Sequence, residues 1–145
     1  MKKALKLRVA GQEYRLRLTL GGQKRLKERF AEETLQTVLA AAGDSECMAA
    51  LLGEALDWEG SGNAVTDGEA FYDLLVNCGY AGQAAFGGLA FDIAACSGLI
   101  SEAQARTLKK TLTEAVDRAF QQVEAGGLSQ GGEPETEARP MTAAN

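Results

Sequence analysis

The stretch YRLRLTLGGQKRLKERF, residues Tyr14 to Phe30, changes period in its middle, and that change decides the fold. Tyr14, Leu16, Leu18 and Leu20 alternate with Arg15, Arg17 and Thr19, the period-two pattern of a strand with one buried and one wet face. After Gly21-Gly22, Leu26 and Phe30 stand four apart, which is helical spacing. Just upstream, Leu5, Leu7 and Val9 alternate with Lys6 and Arg8, and Ala10-Gly11-Gln12-Glu13 supplies the turn. The spacing predicts an antiparallel hairpin over residues 4–20. Two strands alone are marginal, so their apolar face must lie on helices or on a neighbouring chain.

Downstream the pattern stays helical. Leu35, Val38, Leu39 and Ala42 continue the face begun at Leu26, and Gly43 ends it. Asp44 or Ser45 caps a segment whose face runs Met48, Leu51, Leu52, Ala55 and Leu56, with Trp58 packed at its end. Glu59-Gly60-Ser61-Gly62-Asn63 reads as a loop. Thr66-Asp67-Gly68-Glu69 and Ser101-Glu102-Ala103-Gln104 have capping-box spacing. The first precedes a helix carrying Phe71, Leu74, Leu75 and Cys78, closed by Gly79; another, from Gly82, shows Phe86, Leu89, Ala90, Ile93 and Ala94 before Gly98. The second box opens the longest helix, with Ala105, Leu108, Leu112, Ala115, Ala119 and Val123 on one side and Gly126-Gly127 at its end. From Leu128 onward there is almost nothing to bury. The predicted class is α+β, mostly α: an N-terminal antiparallel β-hairpin, about six helices and a disordered C-terminal tail. The domain expectation is one hairpin-plus-helical domain over 1–127 and a flexible tail over 128–145.

Composition narrows the chemistry. The 145 residues are 46% apolar, enough for a core in one domain, and no apolar run reaches the length of a membrane span. Lys6 and Arg8 interrupt the N-terminus before any signal-peptide core forms, so the cytoplasm is the expected compartment. Cys47, Cys78 and Cys96 have no metal-ligand spacing and are expected to be reduced and buried. There is no histidine, which removes imidazole acid–base chemistry and most transition-metal sites. Gly82 and Gly87 match G-x-x-x-x-G, but Gly88 and Leu89 stand where a phosphate loop needs Lys and Ser or Thr. These small residues read instead as letting two helices approach closely. No catalytic residue, metal or cofactor is expected, and the chain reads as non-enzymatic.

Charge is segregated along the chain. Residues 1–29 hold ten of the fifteen Lys and Arg against Glu13 and Glu28 alone; the remainder holds five against eighteen acidic residues. Lys6, Arg8, Arg15 and Arg17 share the wet face of the hairpin, and Lys24, Arg25, Lys27 and Arg29 follow it. Such spacing can bind phosphate, but the acidic remainder would repel a polyanion and no aromatic residue sits on the basic face for base stacking. A protein-facing surface is the preferred reading, with Arg8, Arg15, Arg17, Leu26 and Phe30 as candidate partner-binding residues and a homo-oligomer as the expected state.

The opening pattern, G-x-x-Y-R-L-R-L-T-L-G followed by a short helix, resembles the small tail assembly chaperones of long-tailed phages and gene-transfer-agent particles. The residues carrying it are Gly11, Tyr14, Arg15, Leu16, Arg17, Leu18, Thr19, Leu20, Gly21, Leu26 and Phe30, over about the first quarter of the chain. The resemblance implies a non-enzymatic protein that coats the long helical tape-measure protein and helps recruit tail tube subunits. It also implies a longer form made by frameshifting after the C-terminal tail. Two other readings stand beside it: a structural tail component, such as a connector or completion subunit, and a nucleic-acid-binding regulator using the basic hairpin.

Overall fold

The computed structural model describes residues 3–127, with side chains as far as Glu124. The chain runs β1 (Leu5–Val9), β2 (Gln12–Leu16), α1 (Leu20–Phe30), α2 (Thr34–Ala40), α3 (Ser45–Leu56), α4 (Gly68–Asn77), α5 (Gly82–Cys96) and α6 (Glu102–Gly127). It is a mostly α member of the α+β class, an antiparallel hairpin followed by six helices, as the periodicity predicts. The expected flexible tail, residues 128–145, lies outside the described residues. The chain divides into two units within α6, after Lys110.

The hairpin pairs Leu5 with Leu16, Lys6 with Arg15, Leu7 with Tyr14, Arg8 with Glu13 and Val9 with Gln12. Its turn is only Ala10-Gly11, with φ of 52° and 77°. Both positive angles belong to the tight turn whose twist matches that of the flanking strands. Gln12 and Glu13, expected in the turn, therefore begin β2. At its other end β2 stops at Leu16 rather than Leu20. The Leu18 amide donates to Ser97 Oγ at 2.8 Å, and the Thr19 hydroxyl accepts from the Gly22 amide at 3.1 Å. Thr19 is thus the N-cap of α1, and Leu20, expected in the buried phase, is the first helical residue and 66% exposed. A capping threonine occupies the same polar slot as a strand threonine, which is why the alternation ran on too far.

The outer edge of β2 is closed by the loop after α3. Asn63 Oδ1 accepts from the Arg15 amide, and its Nδ2 donates to the Arg15 carbonyl, both at 2.8 Å, and to the Leu56 carbonyl at 2.9 Å. Trp58 Nε1 also reaches the Arg15 carbonyl, and the Arg17 amide donates to the Ala55 carbonyl. One side-chain amide here does the work of a third strand. Asn63→Ala is expected to cost about 1–3 kcal/mol, read from the urea midpoint, because it strips partners from three backbone groups at once.

The core is built around α3. Asp44 caps it through the Glu46 and Cys47 amides, and Met48, Leu51, Leu52, Ala55 and Leu56 are all fully buried, as their spacing predicts. It packs against α1, α2, α4, α5 and β2. The single face expected from Leu26 to Ala42 is broken in two, because Ala31 takes a left-handed φ of 55° and ends α1. Thr34 Oγ1 then donates to the Gln23 carbonyl and ties α2 back to α1, while Leu39 points outward.

The two capping boxes fare differently. At α6 the box closes, the Ser101 amide donating to Gln104 Oε1 at 2.8 Å and the Gln104 amide to Ser101 Oγ at 3.0 Å. At α4 the N-cap is Asp67, not Thr66, and it makes no side-chain cap bond. The C-terminus of α4 does end at Gly79, whose φ is 104°, with Tyr80 donating to the Leu75 carbonyl and Gly79 to the Val76 carbonyl.

Gly88 is not where two helices come closest. A Cβ on Gly88 would meet only the Lys109 side chain, at 3.5 Å. One on Gly68 would overlap the Ala49 carbonyl oxygen and lie 2.7 Å from the Gly53 nitrogen. The tight crossing is therefore between α3 and the start of α4.

Candidate protein-binding surfaces

Of the residues expected to meet a partner, the structure brings some together and removes others. Lys6, Arg8 and Arg15 are exposed, with Lys6 directly across from Arg15. Arg8 folds back toward the Gly11 carbonyl at 3.4 Å, and Arg15 stands 4.0 Å from Glu13 across the face. Arg17 leaves this group. It lies past the end of β2, is half-buried, and its Nη1 donates to the Lys3 carbonyl at 2.9 Å.

Leu26 is not a contact residue: it is 1% exposed and belongs to the core on the inward side of α1. Sequence spacing marks a helix face as apolar but does not say which side of the molecule it meets. Phe30 is half-buried, with the Arg29 guanidinium 5.3 Å from its ring centre. The cations of α1 are largely answered by later acids: Arg25 by Glu54 at 2.8 Å, Lys27 by Glu33 at 2.9 Å and Arg29 by Glu46 at 3.6 Å. Each is a surface pair of small energetic value, yet together they remove most of α1 from the free basic surface.

Besides Leu20, Leu39 and Val76, the large exposed apolar side chains among the described residues are on the second half of α6. Phe120 and Val123 are 64% and 65% exposed, and Leu112 and Val116 are half-buried on the same side of the helix. Ala105, in the first turns, is buried, so the face expected to be core is core only near its start. Val116 and Phe120 follow Leu112 at four-residue steps, a signal legible in the sequence but missed beside the alanines.

A cleft of about 460 Å³ lies among Lys3 to Lys6, Asp92, Ala95 and Cys96 of α5, and Glu102, Ala105, Arg106 and Lys109 of α6. Lys109 pairs with Asp92 at 2.8 Å and Lys3 with Glu102 at 3.6 Å. Burial pushes the Cys96 thiol above its usual range, against the opposing pull of Lys3 and Arg17. Cys47 is raised too, by burial and then by Asp44. The expectation that all three cysteines are buried fails at Cys78, which is exposed because it caps α4 rather than facing inward from it, and at the half-buried Cys96. Neither raised thiol is activated for nucleophilic work.

Among the described residues no three His, Cys, Asp or Glu are placed to hold a metal ion, and no helix is long and apolar enough to cross a membrane. No family model matches the chain, nor does any curated protein or solved structure.

Proposed function

We propose that this chain is a non-enzymatic phage tail assembly chaperone, which keeps a long helical tape-measure protein soluble and helps recruit tail tube subunits. The observation that supports this reading is the second half of α6. A helix with Leu112, Val116, Phe120 and Val123 along one side gains most of its stability by burying that side against another element. A helical client with its own apolar stripe is the natural complement, laid helix against helix. The resemblance of residues 11–30 to tail assembly chaperones supplies the identity of that client. A structural tail subunit would use the same face but would remain in the finished particle. A nucleic-acid role is less well supported, because Arg25, Lys27 and Arg29 already have acidic partners.

The test is co-expression with the long helical protein encoded downstream. The wild-type chain is expected to keep that protein soluble. Phe120→Asp with Val123→Asp is expected to abolish this, while changing the stability of the chain by no more than about 0.5 kcal/mol, since both positions are exposed. Mass spectrometry of purified particles then separates chaperone from structural subunit. Wild-type and double-variant chains giving equal client solubility would end the α6 reading.

A further inference from the structure

We propose that the open edge of β1 is a strand-addition site that takes an extended acidic segment of another protein. The geometry follows from the register. In an antiparallel pair the backbone groups of alternate residues point inward to the partner strand and outward to the edge. On β2 the outward residues are Glu13 and Arg15; the Arg15 amide donates to Asn63 Oδ1, and just past the strand the Arg17 amide donates to the Ala55 carbonyl. Lys6 is paired with Arg15 and Arg8 with Glu13, so the outward groups of β1 are the N–H and C=O of Lys6 and Arg8. Among the described residues no hydrogen bond takes any of these four groups. Among the described residues the hairpin therefore has one edge held at Arg15 and Arg17 and one edge, that of β1, without partners.

The surroundings of the open edge select its occupant. Lys3, Ala4, Leu5 and Lys6 line the cleft consecutively, so the cleft runs along the start of β1 and the residues before it. The opposite wall carries Arg106 and Lys109. Within the cleft Asp92 and Glu102 are already paired, leaving Lys6 and Arg106 without acidic partners among the described residues. An added strand would place alternate side chains beside Lys6 and Arg8, where carboxylates fit. Its intervening side chains would lie beside the half-buried Leu5 and Leu7, where apolar groups fit. A second copy of β1 fits poorly, because either direction of pairing sets Lys6 and Arg8 against the same cations. The site thus favours a foreign acidic strand over self-association.

The proposal does not rest on the second half of α6 and is tested separately from it. The probe is a labelled peptide, Thr-Glu-Val-Glu-Val-Glu-Thr, titrated into the full chain at low salt and followed by anisotropy. Methylating its alternate backbone nitrogens in the phase that faces β1 is expected to weaken binding about tenfold or more, and in the other phase hardly at all. Amide exchange at Lys6 and Arg8 is expected to slow when the unmethylated peptide is bound. Lys6→Glu with Arg8→Glu is expected to lose this peptide and to gain the version carrying Lys in place of Glu. The Phe120→Asp, Val123→Asp chain is expected to bind it unchanged, so failure of the α6 reading leaves this one standing. Equal binding in both methylation phases, no binding up to about millimolar peptide, or an oligonucleotide of equal charge binding as tightly would each overturn it.

Discussion

Gly68→Ala is expected to destabilise the chain by at least about 3 kcal/mol, seen as a large fall in the urea midpoint. Helix propensity predicts the opposite sign, since alanine in place of glycine in a helix ordinarily gains about 0.5–1 kcal/mol. Sterics win here because of what the new methyl would strike. It would overlap the Ala49 carbonyl oxygen and crowd the Gly53 nitrogen, both backbone atoms inside α3. A flexible side chain could swing away, but a helix backbone moves only as a body. Relief would require α3 and α4 to separate, opening the packing around the fully buried Phe71 and Leu75 of α4. Gly88→Ala is the internal control. Its methyl would rest at 3.5 Å from Lys109 Cδ, an ordinary contact, so the propensity gain should survive and the midpoint should hold or rise. Equal responses at the two positions would mean that the α3–α4 crossing is looser than its geometry indicates.

Tyr14→Asp is expected to abolish the folded state at room temperature, read by loss of near-ultraviolet dichroism and of a cooperative thermal transition. Tyr14 is 3% exposed and meets Phe71 edge to face, ring centres 4.7 Å apart. The substitution removes a ring that joins the hairpin to α4 and leaves a carboxylate in its place. Losing the buried ring costs about 3–5 kcal/mol, and an unpaired buried charge adds several more. Against a total stability of about 5–15 kcal/mol, that sum leaves little or nothing folded. Tyr14→Phe keeps the ring and is expected to stay folded. A folded Tyr14→Asp chain would show that the hairpin pairs in another register, since a one-residue slip is what would turn this position outward.

Much of this architecture was legible in the chain because its signals are local. The alternation from Leu5 to Leu16, the stripe Met48-Leu51-Leu52-Ala55-Leu56, the cap at Asp44, the box at Ser101 and the stop at Gly79 each depend on residues a few places apart. Local signals are ambiguous where one residue type serves two structures. Thr19 served a helix instead of a strand, and Ala31 broke a pattern that nothing nearby marked for breaking. Of the candidate contact residues, Arg8 and Arg15 lie together on the exposed hairpin face, Arg17 is drawn toward Lys3, Leu26 is core, and Phe30 is half-covered by Arg29.

By itself the sequence determined which segments are strands and helices, which sides of them are apolar, and that the basic charge is gathered at one end. Only the tertiary structure decided what those sides meet. It put Asn63 on the edge of β2 across 48 residues of chain, pressed Gly68 onto α3, and left Phe120 and Val123 exposed and the edge of β1 without partners among the described residues. The physical reason is range. Period, propensity and capping act within a turn or two of helix or a pair of neighbouring residues, whereas burial and edge pairing depend on which distant segment arrives. An apolar stripe reads the same before and after something covers it.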